Sequence, residues 1–474
     1  MHELIKNFID GEWVGAAKTT KNINPATGES LGDVVVSGRE EAERAIAAAK
    51  RALPEWRRTP APRRGELLAR AAVEMQKRKE ELARALTLEE GKTLGESLGE
   101  VQKAINNLEF QSGEGRRLNG EQIPSELPST LCWTQREPLG VVSLITPWNF
   151  PVAIPIWKLA PALVCGNTVV LKPASITPWT AKIIAEIFVA AGIPKGVLNV
   201  VFGPGSSVGQ VLVEHPDIKA VSFTGSNEIG TRLYADGAAR MKKVQCEMGG
   251  KNPIIVLEDA DLEAAVSAAV RGRFANCGQV CLAAKRFIVV DAVRQEFEAR
   301  LIESITALRI GDPCDRLTQL GPLARADLRD VLDRQVRDSL KQGARLLLGG
   351  HVAERTGYYY APTLLTDTIP SMPVVTEETF GPVAPVIRVR DAQQALQIAN
   401  DSAYGLAAVV WTGEPERAAH FAKRLEVGSV FINGVTASDP RLPVGGVKLS
   451  GYGRELGAAG IRELVNLQSV WIGS

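Results

Sequence analysis

Four short apolar runs punctuate residues 139–246: Val141-Val142-Ser143-Leu144-Ile145, Thr168-Val169-Val170-Leu171, Leu198-Asn199-Val200-Val201 and Ala220-Val221-Ser222-Phe223. Helical spacing of apolar positions fills the gaps between them. Strands that alternate with helices predict a parallel sheet with right-handed crossovers, whose ligands sit at the carboxyl ends of the strands. Each run is followed by a chemically unusual loop: Trp148-Asn149, Lys172 to Ser175, Gly203-Pro204-Gly205 and Thr224-Gly225-Ser226. A second alternation begins after residue 252, with strands at 254–257 and 287–290 and helices over about 261–277, 294–309 and 324–342. Ahead of both, residues 8–36 read as short strands broken by turns, and helices are predicted over 40–53, 61–90 and 96–117. The middle helix carries Leu67, Leu68, Ala71, Ala72 and Met75 on one face. Residues 120–136, with Pro124, Pro128 and the alternation Thr130-Leu131-Cys132-Trp133-Thr134, read as an extended arm. Residues 464–472 read as a final strand.

Composition narrows the class. A chain of 474 residues predicts two or three domains, because single cores rarely grow beyond roughly 250–300 residues. Lys+Arg of 55 against Asp+Glu of 54 gives a net charge of +1, so no global field invites nucleic acid or an anionic membrane. Six cysteines without a C-x-x-C pair point to free thiols in a reducing compartment. No charged-then-apolar leader opens the sequence and no run approaches the roughly 20 apolar residues of a membrane span, so a cytoplasmic location is expected. His2, His215, His351 and His420 form no cluster, which argues against a metal site or a Ser-His-Asp arrangement. The chemistry then falls to a thiol and a carboxylate.

That thiol is Cys281, within R-F-A-N-C-G-Q-V-C-L-A-A-K-R at 273–286. Gly278 and the small residues around it allow a sharp turn and close approach of a ligand. A thiol needs a base or a depressed pKa to attack, and Glu247, in C-E-M-G-G-K at 246–251, is the candidate. P-W-N-F-P at 147–151, F-T-G-S at 223–226, E-M-G-G-K at 247–251, G-Q-V-C at 278–281 and E-T-F-G-P at 378–382 occur together and in this order. In these motifs the chain resembles the aldehyde dehydrogenase superfamily over nearly its whole length.

The resemblance implies an α/β fold of three parts. A Rossmann-like dinucleotide-binding domain takes residues 1–119 and 137–246, a catalytic α/β domain takes 247–445, and residues 120–136 and 446–474 form a small β oligomerisation arm. It implies oxidation of an aldehyde to a carboxylic acid with NADP or NAD. Cys281 attacks the carbonyl, Asn149 and the Cys281 backbone N–H hold the oxyanion, and Glu247 activates the water that hydrolyses the thioester. The alternative acyl acceptor is coenzyme A. Glu247 favours water, since the acylating branch replaces this glutamate. A non-catalytic scaffold has no need of Cys281, Glu247 and Asn149 together. Cys277 is expected to pack as a small apolar residue; were its segment helical it would stand one turn from Cys281 and could pair with it as a disulfide.

The cofactor residues implied are Ile145, Trp148, Lys172, Ser175, Gly205, Phe223, Gly225, Ser226, Met248, Gly249, Glu378 and Phe380. Gly203, Gly205 and Gly209 form G-x-G-x-x-x-G after the third strand, a departure from the first-strand fingerprint. The pyrophosphate is expected near 223–226 at a helix N-terminus. Ser175 stands where NAD-preferring relatives often carry Glu, so NADP should be accepted. The substrate pocket implied comprises Phe150, Trp157, Val280, Leu282, Arg441 and Val444. Ala275 and Val444 stand where relatives carry rings, which predicts a wide tunnel mouth and tolerance of bulky aldehydes. If the arm pairs with the last strand of another subunit, the protein is at least a dimer, and a dimer or tetramer is expected.

Overall fold

The computed structural model describes residues 4–473. Its strands assort into two large sheets and three small ones. The first large sheet orders its eight strands as Glu12–Val14, Asn7–Ile9, Leu198–Val200, Thr168–Lys172, Val141–Ile145, Ile218–Thr224, Lys243–Glu247 and Gly451–Tyr452. The five from Leu198–Val200 to Lys243–Glu247 are mutually parallel. Four of these are the apolar runs read from the sequence, buried on both faces as a parallel sheet requires, and Lys243–Glu247 is the fifth. Helices Ala153–Val164 and Pro178–Ala190 are apolar nearly all round for the same reason: they lie between the sheet and the helices Ala61–Lys77 and Leu94–Glu114.

The second sheet, of seven strands, runs Arg345–Leu348, Thr363–Thr366, Val383–Val389, Ala284–Val290, Asn252–Val256, Ala407–Trp411 and Ser429–Ile432. All its pairs are parallel except the first. Each large sheet anchors its own apolar core, as an α/β architecture predicts. Glu247 ends the last parallel strand of the first sheet and Asn252 opens the second, so the glycine pair Gly249-Gly250 is the passage between them.

Two expectations need correction. The helix read over 61–90 is two helices, Ala61–Lys77 and Lys79–Glu90, broken at Arg78 (φ −102, ψ 17). The Arg78 guanidinium forks onto Glu81 and Glu186 and holds the bend, which apolar spacing alone does not reveal. The final strand Val465–Ile472 pairs antiparallel with Leu131–Pro138 of its own chain, from Val465↔Pro138 to Ile472↔Leu131. A partner subunit is not needed to satisfy that arm.

Candidate active site

The site is built where strand ends of the two sheets face each other. After the helix Leu262–Phe274, the backbone enters the left-handed region at Asn276 (φ 49), Cys277 (φ 52) and Gly278 (φ 74). For non-glycine residues this costs roughly 1–2 kcal/mol each, so the surroundings must hold it. Asn276 N donates to Glu96 at 2.7 Å and Asn276 Nδ2 to the Asn149 carbonyl at 3.0 Å. Buried Arg273 ties the loop to the carbonyls of Thr379 and Gly381. At Gly278 a Cβ would stand 2.2 Å from the Gly381 carbonyl, so only glycine fits. This contortion lifts Cys281, partly exposed, into a cavity of about 230 Å³.

Trp148, Asn149, Gly225, Ser226, Met248, Gly249, Glu378 and Phe380 line the same cavity. Cys277 does not. Its helical placement fails because its φ is positive, and it is a buried free thiol pushed well up by desolvation.

Asn149 is buried, and its Nδ2 donates to the Gln279 carbonyl at 3.0 Å, two residues before Cys281. Its own carbonyl accepts from Lys92 Nζ at 2.7 Å. Burial pushes the Cys281 thiol up to about 11; Glu378 and Glu247 push the same way and Lys285 opposes them. Glu247 is held well above the usual carboxylate range, first by burial and then by neighbouring Glu455, against Lys158 and Arg454. Its Oε1 has no hydrogen-bond partner among the described residues. A Cβ at Gly445 would stand 2.5 Å from that oxygen, so glycine lets the loop cross the carboxylate. Lys158 pairs with Glu455 behind it and donates to Ser222 at 2.8 Å.

Glycines hold this cavity open. A Cβ at Gly225 would meet the Phe223 ring at 2.5 Å, and one at Gly249 would meet Glu378 Oε2 at 2.1 Å, so glycine keeps both approaches open. Thr224 Oγ1 lies buried at its edge without a partner among the described residues. Ser226 precedes the helix Asn227–Ala238, whose N-terminus is a ready anion site. The Trp148 and Phe380 rings meet edge-on at 5.7 Å. Ile145, Lys172 and Phe223 share a register level on adjacent strands, but Ile145, Lys172, Ser175, Gly205 and Phe223 all lie outside this cavity's lining. Lys172 is pushed down to about 8 by burial and donates to the Pro173 carbonyl at 3.0 Å. Ser175 and Gly205 are exposed, and Gly205–Gly209 forms a single π-helical turn rather than a Rossmann loop.

On the other side of the Cys281 peptide, Phe150 and Val280 line a second cavity of about 340 Å³ together with Lys92, Lys103, Arg271 and Ala275. Lys92 Nζ sits 4.1 Å from the Phe150 ring centroid. Trp157 is not there. It borders a void of about 20 Å³ beside Lys158, Arg454 and Glu455, because on the helix Ala153–Val164 it turns away from Phe150. Arg441 is exposed and forked onto Asp439 at 2.9 and 2.6 Å, and it lines neither cavity. Val444 exchanges backbone hydrogen bonds with Glu455 at 2.7 Å, and the Leu282 carbonyl accepts from Thr436 at 2.9 Å. The sequence reading passed over Lys92, Lys103, Arg271 and Lys285. Only Lys285 left a signal, as a charge entering an otherwise apolar strand.

A sequence profile of the aldehyde dehydrogenase family matches residues 13–470. The α-ketoglutaric semialdehyde dehydrogenase of Bacillus subtilis is 42% identical over 98% of this chain and 97% of its own. The NADP-dependent succinate-semialdehyde dehydrogenase GabD of Escherichia coli is 40% identical, again over 98% and 97%. Among solved structures, an NADP-dependent enzyme of E. coli superposes with a TM-score of 0.98 at 40% identity, covering 99% of this chain and 98% of that one.

Proposed function

The chain belongs to the aldehyde dehydrogenase family, which oxidises aldehydes to carboxylic acids with NAD or NADP, and from that premise we propose how its residues divide the work. Cys281 Sγ attacks the aldehyde carbon, and the oxygen is held by Asn149 Nδ2, turned from its resting contact with Gln279, and by the Cys281 N–H. Trp148, Glu378 and Phe380 would hold a nicotinamide cofactor in this cavity, and it would supply the acceptor for the hydride released as the thiohemiacetal becomes a thioester. Glu247 then takes a proton from the hydrolytic water, with the paired Lys158 and Glu455 behind it setting the charge around the carboxyl. The observation that supports this division best is one cavity shared by Cys281, Asn149 and Glu378. Residues 1–119 and 137–246 serve as the cofactor-binding unit and 247–445 as the catalytic unit. Small Ser175 beside cationic Lys172 supports use of NADP; titration showing NADP bound a hundredfold more weakly than NAD would exclude it.

The preferred aldehyde carries an anion at its far end. Lys103 and Arg271 line the second cavity and make no side-chain hydrogen bond or ion pair among the described residues. The two glutamates beside them are committed: Glu100 to Lys92, and Glu96 to Thr93 and the Asn276 N–H. Both curated relatives are named for semialdehydes that bear carboxylates. The test compares kcat/KM for succinate semialdehyde, 2-oxoglutarate semialdehyde, butyraldehyde and benzaldehyde in wild type and Lys103→Met. The anionic substrates should lead, and Lys103→Met should raise their KM about tenfold while sparing the neutral ones, a loss of roughly 1.4 kcal/mol. Benzaldehyde in the lead would favour the bulky-aldehyde expectation that Ala275 prompted. The sheet of residues 122–138 and 465–472 supports a homo-oligomer, since Ile123, Leu131, Leu467, Trp471 and Ile472 on it are all exposed.

A further inference from the structure

Lys285 belongs to the strand Ala284–Val290, buried along its whole length, and its side chain is 1% exposed. An isolated ammonium in such a place is costly and must be neutralised. Its partner is Glu378, which is 22% exposed and lines the cofactor cavity. Lys285 Nζ also lies 3.5 Å from the Cys281 carbonyl and 5.1 Å from the Phe380 ring centroid. The ammonium therefore stands between the peptide of the nucleophile and the carboxylate assigned to the cofactor. It is fixed by burial, whereas Glu378 borders open space.

Glu378 has one carboxylate for two duties. Oε1 accepts from Lys285 and from Gly250 N at 3.2 Å. Turning toward a ribose hydroxyl exchanges those bonds for new ones and leaves Lys285 without an anion. The charged groups acting on Cys281 are Lys285 from the adjoining strand, Glu378 from the segment after Pro373–Thr376, and Glu247 from the first sheet. Arg273 acts on Lys285 but is held by the carbonyls of Thr379 and Gly381. Among the described residues, Cys281 is the other anion-forming group that acts on Lys285 besides Glu378, and its own carbonyl already faces the ammonium.

We propose that Lys285 is a positioning residue that couples cofactor binding to activation of the nucleophile: Glu378 neutralises it in the empty enzyme, and once the cofactor draws Glu378 away the ammonium stabilises the Cys281 thiolate. The proton lost by Sγ leaves to solvent through the cavity that Cys281 lines. The two changes act in the same direction, since an opposing anion departs as a supporting cation is unmasked. The thiol stays protonated and poorly reactive until the cofactor is in place. This rests on the reading of Cys281 as nucleophile and Glu378 as a cofactor ligand.

The test is the pH dependence of Cys281 alkylation by iodoacetamide, with and without NADP or NAD. The pH midpoint is read rather than the rate alone, because a bound cofactor also covers the thiol. In the wild type the cofactor should move the midpoint down by a unit or more, about tenfold in thiolate at a fixed lower pH. Glu378→Gln should show the lowered midpoint without cofactor. Lys285→Met should hold the high midpoint in both states, and Lys285→Arg should restore the shift. A Lys285→Met enzyme that keeps the full shift, or a Glu378→Gln enzyme as slow as unliganded wild type, would overturn the proposal. Should Lys285→Met not fold, Glu378→Gln decides alone. If Cys281→Ala labels as fast as wild type, Cys281 is not the reactive thiol, and the underlying reading falls with the proposal.

Discussion

Burial holds both side chains proposed to react, the Cys281 thiol and the Glu247 carboxyl, toward their neutral forms, so on that reading ionisation decides when each works. Cys281→Ala should abolish NAD(P)H formation at 340 nm with every aldehyde. Glu247→Gln leaves attack and oxidation intact and removes only the base for hydrolysis. It should therefore give a burst of about one NAD(P)H per site followed by turnover slowed ~10²–10⁴-fold. Because Glu247 is raised well above the usual range, wild-type kcat should climb from pH 6 into the alkaline range as the base ionises; a flat profile would contradict its role. A related linkage concerns stability. Burial raises Glu90 to about 8 from its ordinary 4.5, and one of its oxygens has no partner among the described residues. Its neutral form is favoured by folding, so that stability is complete below pH 4.5 and is lost as pH rises through about 8. Glu90→Gln should match wild type in Tm at pH 5 and exceed it by a few degrees at pH 9.

Among elements, the helix Leu94–Glu114 does most to position the site. Glu100 on it accepts from the N–H groups of Val152 and Ala153 at 2.9 and 3.0 Å, while Lys92, just ahead of the helix, binds both Glu100 and the Asn149 carbonyl. Lys92→Met should strand the Glu100 charge, costing ~3–5 kcal/mol and lowering kcat by misplacing Asn149. The double variant Lys92→Met/Glu100→Gln should be more stable than the single, as a thermal melt would show. None of this was legible in the sequence, although the helix itself was. The parallel strands were read closely because residues buried on both faces leave continuous apolar runs. The motif residues Cys281, Asn149, Gly249 and Glu378 do converge on one cavity. What escaped was set by partners distant in the chain. The break at Arg78 depends on Glu186, 108 positions away, and the Lys285–Glu378 pair spans 93. Trp157 and Arg441 line neither cavity for a related reason: a motif gives a residue's place on an element but not which way the element is rolled. The left-handed turn is one that Asn276 tolerates but Cys277 does not favour, and it is held through Asn276 by Glu96 and Asn149.

The whole molecule is a pair of large sheets bound at Gly249-Gly250, with the small sheet of residues 122–138 and 465–472 standing apart and apolar on its surface. If this sheet makes the proposed homo-oligomer, paired Leu467→Asp and Trp471→Asp substitutions should reduce the mass by light scattering at micromolar concentration, with the catalytic residues untouched; an unchanged mass would count against that assembly. The antiparallel pairing of Leu131–Pro138 with Val465–Ile472 has a further consequence for how the protein is made. Gln135 and Gln468, bonded across it at 2.9 Å, lie 333 positions apart. During synthesis the earlier strand leaves the ribosome long before its partner exists, and loop closure over that distance is slow. Its unpaired edge, with Leu131 and Trp133 along it, is meanwhile a template for aggregation. Nascent chains stalled before residue 465 should therefore need a chaperone to remain dispersed, whereas the completed chain closes that edge with its own last strand.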